Sequence, residues 1–205
     1  MQPGISSIRW LFPALLLLPA QAVAQSVISP GTAYVSADPE EEPGAARWHL
    51  DGPTRVLKIV YQPAPSERPD FWHSVETALA TWAAVDGVPF RFVRVESGQA
   101  ADVEFRWIAG FSSAKAGLTR RQLDESGAIE QAVVTLARNH ANGLAMSEPF
   151  AVFVALHEIG HALGLPHSDS PGDAMYPGSR NSEVSRRDRA SLLNLYGLSD
   201  DGGPR

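Results

Sequence analysis

The chain has 205 residues, 44% of them hydrophobic and 20% charged, which suits one globular domain with a sizeable core and excludes a disordered polymer. A formal net charge of -6 and the lack of any basic run argue against nucleic acid or an anionic membrane surface as partner. Cysteine is absent, so disulfides, thiolate metal ligands and cysteine-linked lipid are excluded.

In chain order, Arg9 precedes an apolar run from Trp10 to Ala20, and Ala22-Val23-Ala24 has the form of a cleavage site. Residues 1–24 are therefore expected to be a secretory signal peptide. The run is too short for a comfortable membrane span, so no anchor is expected after cleavage. The destination would be the exterior, or the periplasm of a Gram-negative cell; an exported chain without cysteine favours a bacterial source. Residues 25–47 contain Pro30, Gly31, Pro39, Pro43 and the acidic run Glu40-Glu41-Glu42, and are expected to form a flexible leader or short pro-segment.

Arg55 to Tyr61 reads as a strand, with Pro53 before it and Pro63 after. Phe71, Val75, Ala78, Leu79 and Trp82 have helical spacing over residues 70–85, with Gly87 as a stop. Its aromatic residues are expected to pack that helix on a sheet. Phe90 to Val95 and Asp102 to Ile108 read as strands. Residues 109–130 are rich in glycine, serine and charge, with a short edge strand expected near Ala116 to Thr119. Ala132 to Ala137 is another strand. Ser147 then suits an N-cap, with Pro149 in the first turn of a helix that stops near Gly164. That helix is apolar all round from Phe150 to Leu156, which predicts central burial. Ser185 caps a last helix running to about Tyr196, with Asp188 three residues in and Gly197 closing it. The expected fold class is α+β: one domain over residues 48–198, built on a mixed, twisted sheet of about five strands with three helices, and a tail over 199–205.

The densest signal lies inside the second helix. Residues 157–167 read His-Glu-Ile-Gly-His-Ala-Leu-Gly-Leu-Pro-His. Two histidines four apart share one helix face, so His157 and His161 can aim their imidazoles at one Zn²⁺. Gly164 can end the helix and reverse the chain, bringing His167 as third ligand. Three protein ligands leave the fourth tetrahedral position open, which is the mark of a catalytic zinc. Glu158 stands beside the first ligand, placed as general base toward a zinc-activated water. A chance match at His157, Glu158, His161, Gly164 and His167 is on the order of one in 100,000 at ordinary residue usage, so the register as a whole carries the reading.

This stretch, followed by Ala174-Met175-Tyr176-Pro177, resembles the metzincin signature with its methionine turn. Within that clan the chain is most similar to the matrixins, the matrix metalloproteinases and their bacterial relatives. Ser168 follows the third ligand, Met175-Tyr176-Pro177 resembles the matrixin Met-turn, and Ser185 to Gly197 resembles the family's C-terminal helix. The likeness runs more weakly upstream to Arg47-Trp48. It implies a metzincin (zincin-like) catalytic domain, and a turn at Met175 that forms an apolar floor under the imidazoles. Without cysteine, latency by a cysteine switch is not expected. Many matrixins hold a structural zinc upstream of the active helix; only His140 is available between residues 109 and 150, and His49 and His73 are scattered, so no such site is expected. Pro177 stands where astacins and serralysins place a zinc-contacting tyrosine, which argues against a five-coordinate resting zinc. The family often uses calcium, for which Asp124 and Glu125 are available.

The resulting expectation is a secreted, monomeric zinc metalloendopeptidase acting on protein or peptide substrates. One catalytic Zn²⁺ would be held by His157, His161 and His167, with Glu158 as base. Ala116, Gly117 and Leu118 would pair with an extended substrate by β-augmentation, and Tyr176 and Pro177 would wall its pocket. Two other readings stand beside it: a zinc amidase on cell-wall peptides, and a non-catalytic zinc-binding domain. The second predicts loss of a ligand or of the base, and all four residues are present.

Overall fold

The computed structural model describes residues 45–62 and 71–199. The expected signal peptide, the leader up to residue 44, and the tail beyond Ser199 lie outside the described residues. The elements in chain order are β1 (Arg55–Tyr61), α1 (Phe71–Ala83), β2 (Phe90–Arg94), β3 (Val103–Ile108), β4 (Gly117–Leu123), β5 (Ile129–Ala137), α2 (Glu148–Ala162) and α3 (Arg186–Leu195). They form the expected α+β architecture, a five-stranded mixed sheet with three helices.

The strand order is β2-β1-β3-β5-β4. β1 pairs in parallel with β2 and β3, and β3 in parallel with β5. β4 alone runs antiparallel, on β5, and forms one edge of the sheet. Alternation buries Leu57, Ile59 and Tyr61 from β1, Val103 and Phe105 from β3, and Ala132, Val134 and Leu136 from β5. Val75, Ala78, Leu79 and Trp82 of α1 and Ala155, Leu156 and Ile159 of α2 close over them in one core. The helical spacing read from the sequence of α1 is therefore its packing face.

β4 extends further than the expected edge segment, reaching Leu123, and β5 begins three residues earlier, at Ile129. An edge strand needs no apolar stripe, because the backbone ladder to β5 holds it. Thr119 is the buried residue of β4, while Arg120, Gln122 and Leu123 are exposed. The composition that read as irregular is that of a polar edge.

Three buried polar handles fix the C-terminal part of α2. The indole N–H of Trp82 donates to the Leu156 carbonyl at 2.9 Å, and that of Trp48 to the Ala162 carbonyl at 2.9 Å. The Tyr196 hydroxyl donates to the Leu163 carbonyl at 2.8 Å and accepts from the Trp48 amide at 3.0 Å. The Ala162 and Leu163 carbonyls, which the helix end leaves without intrahelical partners, are thus satisfied by Trp48 and Tyr196 from both ends of the domain. Residues 45–47, at the end of the expected leader, belong to this packing: Ala46 is buried and its amide donates to the Gly164 carbonyl at 3.3 Å. Among the described residues, no helix is long and apolar enough to cross a membrane.

Gly164 has φ +107, and a Cβ there would collide with the Ala46 carbonyl oxygen. Gly164→Ala should lower stability by about 2 kcal/mol or more, read as an earlier urea midpoint.

Candidate metal centre and catalytic cleft

Local chemistry sets both ends of α2. The Ser147 hydroxyl accepts from the Phe150 amide at 3.4 Å, and Pro149 occupies the first turn. At the other end the Gly164 amide donates to the His161 carbonyl at 2.9 Å and the Leu165 amide to the Gly160 carbonyl at 3.0 Å. This is the Schellman pattern, with Gly164 in the left-handed position only glycine takes readily. The chain reverses there and returns His167 to the helix face that carries His157 and His161.

The three imidazoles converge. Nε2 of His157 lies 3.1 Å from Nε2 of His161 and 3.1 Å from Nε2 of His167, and the ligand nitrogens of all three fall within 4.8 Å of one another. The His157 Nδ1 donates to the Ala174 carbonyl at 2.8 Å, and the His161 Nδ1 to the Leu165 carbonyl at 2.8 Å. A carbonyl only accepts, so these Nδ1 atoms hold the protons and the Nε2 atoms present lone pairs to each other. Lone pairs at such separation repel unless a cation is shared between them. Imidazole nitrogens on one tetrahedral Zn²⁺, at about 2.0–2.1 Å from it, lie about 3.3 Å apart. The donor set and its spacing therefore fit zinc. Burial first, and then the neighbouring His157, push the pKa of His161 well below its ordinary value, which keeps it in the neutral form a ligand requires.

The support beneath this triad comes from the Met-turn. Met175 is fully buried, and a Cβ at Gly160 would collide with its sulfur and stand 3.0 Å from the Trp82 ring. Gly160 thus lets α2 settle onto Met175. The Asp188 carboxylate accepts from the Ala174 amide at 2.7 Å and the Met175 amide at 3.3 Å. The same carboxylate accepts from the Ser185 amide at 2.9 Å, completing a capping box at the start of α3. Burial, the largest influence on it, pushes the Asp188 pKa up, while these donors oppose that. Ser168 donates its hydroxyl to Asp173 and its amide to the Met175 carbonyl at 2.9 Å. Asp173 also accepts from the Ser185 hydroxyl at 2.6 Å, so the loop after His167 is bound to the same helix start.

Glu158, 6% exposed, accepts a hydrogen bond at Oε2 from the Thr119 hydroxyl at 2.7 Å. It lines a cavity of about 330 Å³ together with His157 and His167. Ala116, Gly117 and Leu118 of the β4 segment form one wall, Phe150, Phe153 and Val154 of α2 a second, and Pro177, Gly178 and Ser179 a third. Four of the five residues expected to contact substrate therefore border the cavity. Tyr176 does not line it; its amide donates to the Asp173 carbonyl at 3.3 Å. Sequence reasoning did not single out Thr119 or the aromatic wall. The wall was signalled, since Phe150, Phe153, Val154 and His157 follow one helical stripe. Thr119 had no local signal.

The remaining histidines sit elsewhere. His49 pairs with Asp124 at 2.9 Å on the surface, exposed His73 lies 3.8 Å from Glu148, and His140 packs on Phe150 at 4.9 Å. The Asp124 carboxylate accepts from the Ser126 hydroxyl at 2.7 Å and from the Ser126 and Ala128 amides. The Ser126 hydroxyl foremost holds its pKa down at about 2.

A family model described as Matrixin matches residues 47–197. The chain is 27% identical over 183 residues to metalloendoproteinase 5-MMP of Arabidopsis thaliana, covering 78% of this chain and 48% of that protein. It is 28% identical over 174 residues to human matrix metalloproteinase-26, covering 78% and 64%. With human matrix metalloproteinase-20 it shares 33% identity over 144 residues, covering 66% and 28%. The chain thus spans less than two thirds of the length of each of these relatives.

Asp188→Ala would leave the amides of Ala174 and Met175 without their acceptor beneath the imidazoles. It should destabilise the domain by about 2–4 kcal/mol in urea unfolding and weaken zinc retention during dialysis.

Proposed function

The chain belongs to the matrixin family, and from that membership we propose that it is an exported zinc-dependent metalloendopeptidase that hydrolyses peptide bonds in protein substrates. One observation carries the reading: three imidazole nitrogens converge at a cavity that Glu158 also lines. His157, His161 and His167 would hold the metal. Bound zinc would supply Lewis acidity, making water nucleophilic near neutral pH and polarising the scissile carbonyl.

The protein's own groups do the rest. The buried Glu158 carboxylate takes a proton from the attacking water as the new carbon–oxygen bond forms. It returns that proton to the amine nitrogen as the carbon–nitrogen bond breaks. The carbonyls of Ala174 and Leu165 hold the His157 and His161 rings in the tautomer whose Nε2 could accept a metal. An extended peptide would lie along β4, the sheet edge, beside Ala116, Gly117 and Leu118. Phe153, Val154 and Pro177 support an apolar side chain next to the scissile bond. The signal-peptide features of residues 1–24 support export.

Glu158→Gln should retain zinc while kcat on a quenched peptide falls by about 100-fold or more. Unchanged turnover in that variant rejects Glu158 as the base. His161→Ala should lower metal content, and chelation should abolish wild-type activity until zinc is restored. Turnover of peptidoglycan fragments without turnover of casein would reject the endopeptidase reading in favour of an amidase.

A further inference from the structure

β4 does more at the cleft than offer an edge. Successive residues of a strand point to opposite faces, so Gly117 and Thr119 share one face, and that face meets Glu158. Thr119 is 5% exposed, and its hydroxyl reaches both the Glu158 carboxylate at 2.7 Å and the Glu158 backbone carbonyl at 2.9 Å. One hydroxyl carries one proton, and the charged acceptor at the shorter distance makes the stronger bond. At Gly117 a Cβ would stand 2.5 Å from Oε1, 2.6 Å from Cγ and 2.8 Å from Cδ of Glu158. The group that would have to move for a side chain there is the carboxylate itself. Gly117 has no positive φ, so backbone conformation does not account for glycine at this position.

We infer that Thr119 and Gly117 are positioning residues for Glu158: the hydroxyl anchors one carboxylate oxygen, and the missing side chain leaves the other its place. A carboxylate on two rotatable bonds beyond its Cβ must be held in one rotamer to serve as an efficient base. The helix supplies its position along the chain, and β4 supplies its orientation. This inference rests on Glu158 being the general base.

The test measures kcat, KM, zinc content and thermal midpoint of the full exported chain carrying Thr119→Val, Thr119→Ser, Gly117→Ala or Glu158→Gln. Thr119→Val keeps the shape and removes the hydroxyl. Its kcat should fall about tenfold, the scale of one hydrogen bond to a charged group, with KM and zinc content unchanged. Thr119→Ser should restore most of that loss. Gly117→Ala should also lower kcat, an effect that weaker substrate affinity alone would not produce; it serves as the independent test if Thr119→Val folds poorly. Full kcat in both Thr119→Val and Gly117→Ala, with Glu158→Gln inactive, overturns the positioning role and leaves the base standing. Equal losses in Thr119→Ser and Thr119→Val, or losses that follow zinc content, also overturn it. A fully active Glu158→Gln overturns the base assignment itself.

Discussion

The structure around the cleft depends on three imidazole nitrogens being held together: Nε2 of His157 lies 3.1 Å from Nε2 of both His161 and His167. Nearly every feature around the cleft enforces this arrangement. The helical register of α2 supplies two of the nitrogens, and the glycine turn at its end supplies the third. The carbonyls of Leu165 and Ala174 choose the tautomer. A fold that assembles these nitrogens in advance would lower the entropy cost of binding a metal there, so zinc binding and folding would be coupled.

Holding the triad requires α2 to be immobile, and the domain provides this through polar contacts inside an apolar core. Trp48 and Tyr196 hydrogen-bond to carbonyls at the helix end and Trp82 to the Leu156 carbonyl within the helix, while Gly160 removes the side chain that would lift the helix off Met175. The Met-turn is in turn suspended from Asp188, whose carboxylate also starts α3. One buried carboxylate thus couples the C-terminal helix to the His157 ring through the carbonyl of Ala174. Ser168 and Asp173 extend the same connection to the loop that follows His167.

The cleft is built from segments of different origin. One wall is the apolar first half of α2, the same helix that carries His157 and Glu158. The facing wall is the edge strand β4, and the third is the loop after Met175. A substrate lying on β4 would rest on the same strand whose Thr119 hydroxyl meets Glu158. Substrate recognition and orientation of the base would then share one structural element.

Much of this was legible along the chain because its determinants are local. The spacing of His157 and His161, the cap at Ser147, the turn at Gly164 and the capping box of Ser185 and Asp188 each involve residues within a few positions, where helical geometry dictates who meets whom. The apolar stripes of α1 and β1 likewise announced the core. The full extent of β4 was not legible, because an edge strand is held by backbone pairing and its side chains carry no apolar period. Nor was the meeting of Thr119 with Glu158, 39 residues apart, or of Trp48 with Ala162, 114 residues apart. The sequence by itself determined that His157, Glu158 and His161 share one helix and that a glycine turn at its end returns His167 to them. Only the tertiary structure decided what meets the Glu158 carboxylate, what fixes the imidazoles from behind and which residues wall the cleft, since such contacts depend on how the sheet and helices pack and leave no periodic trace along the chain.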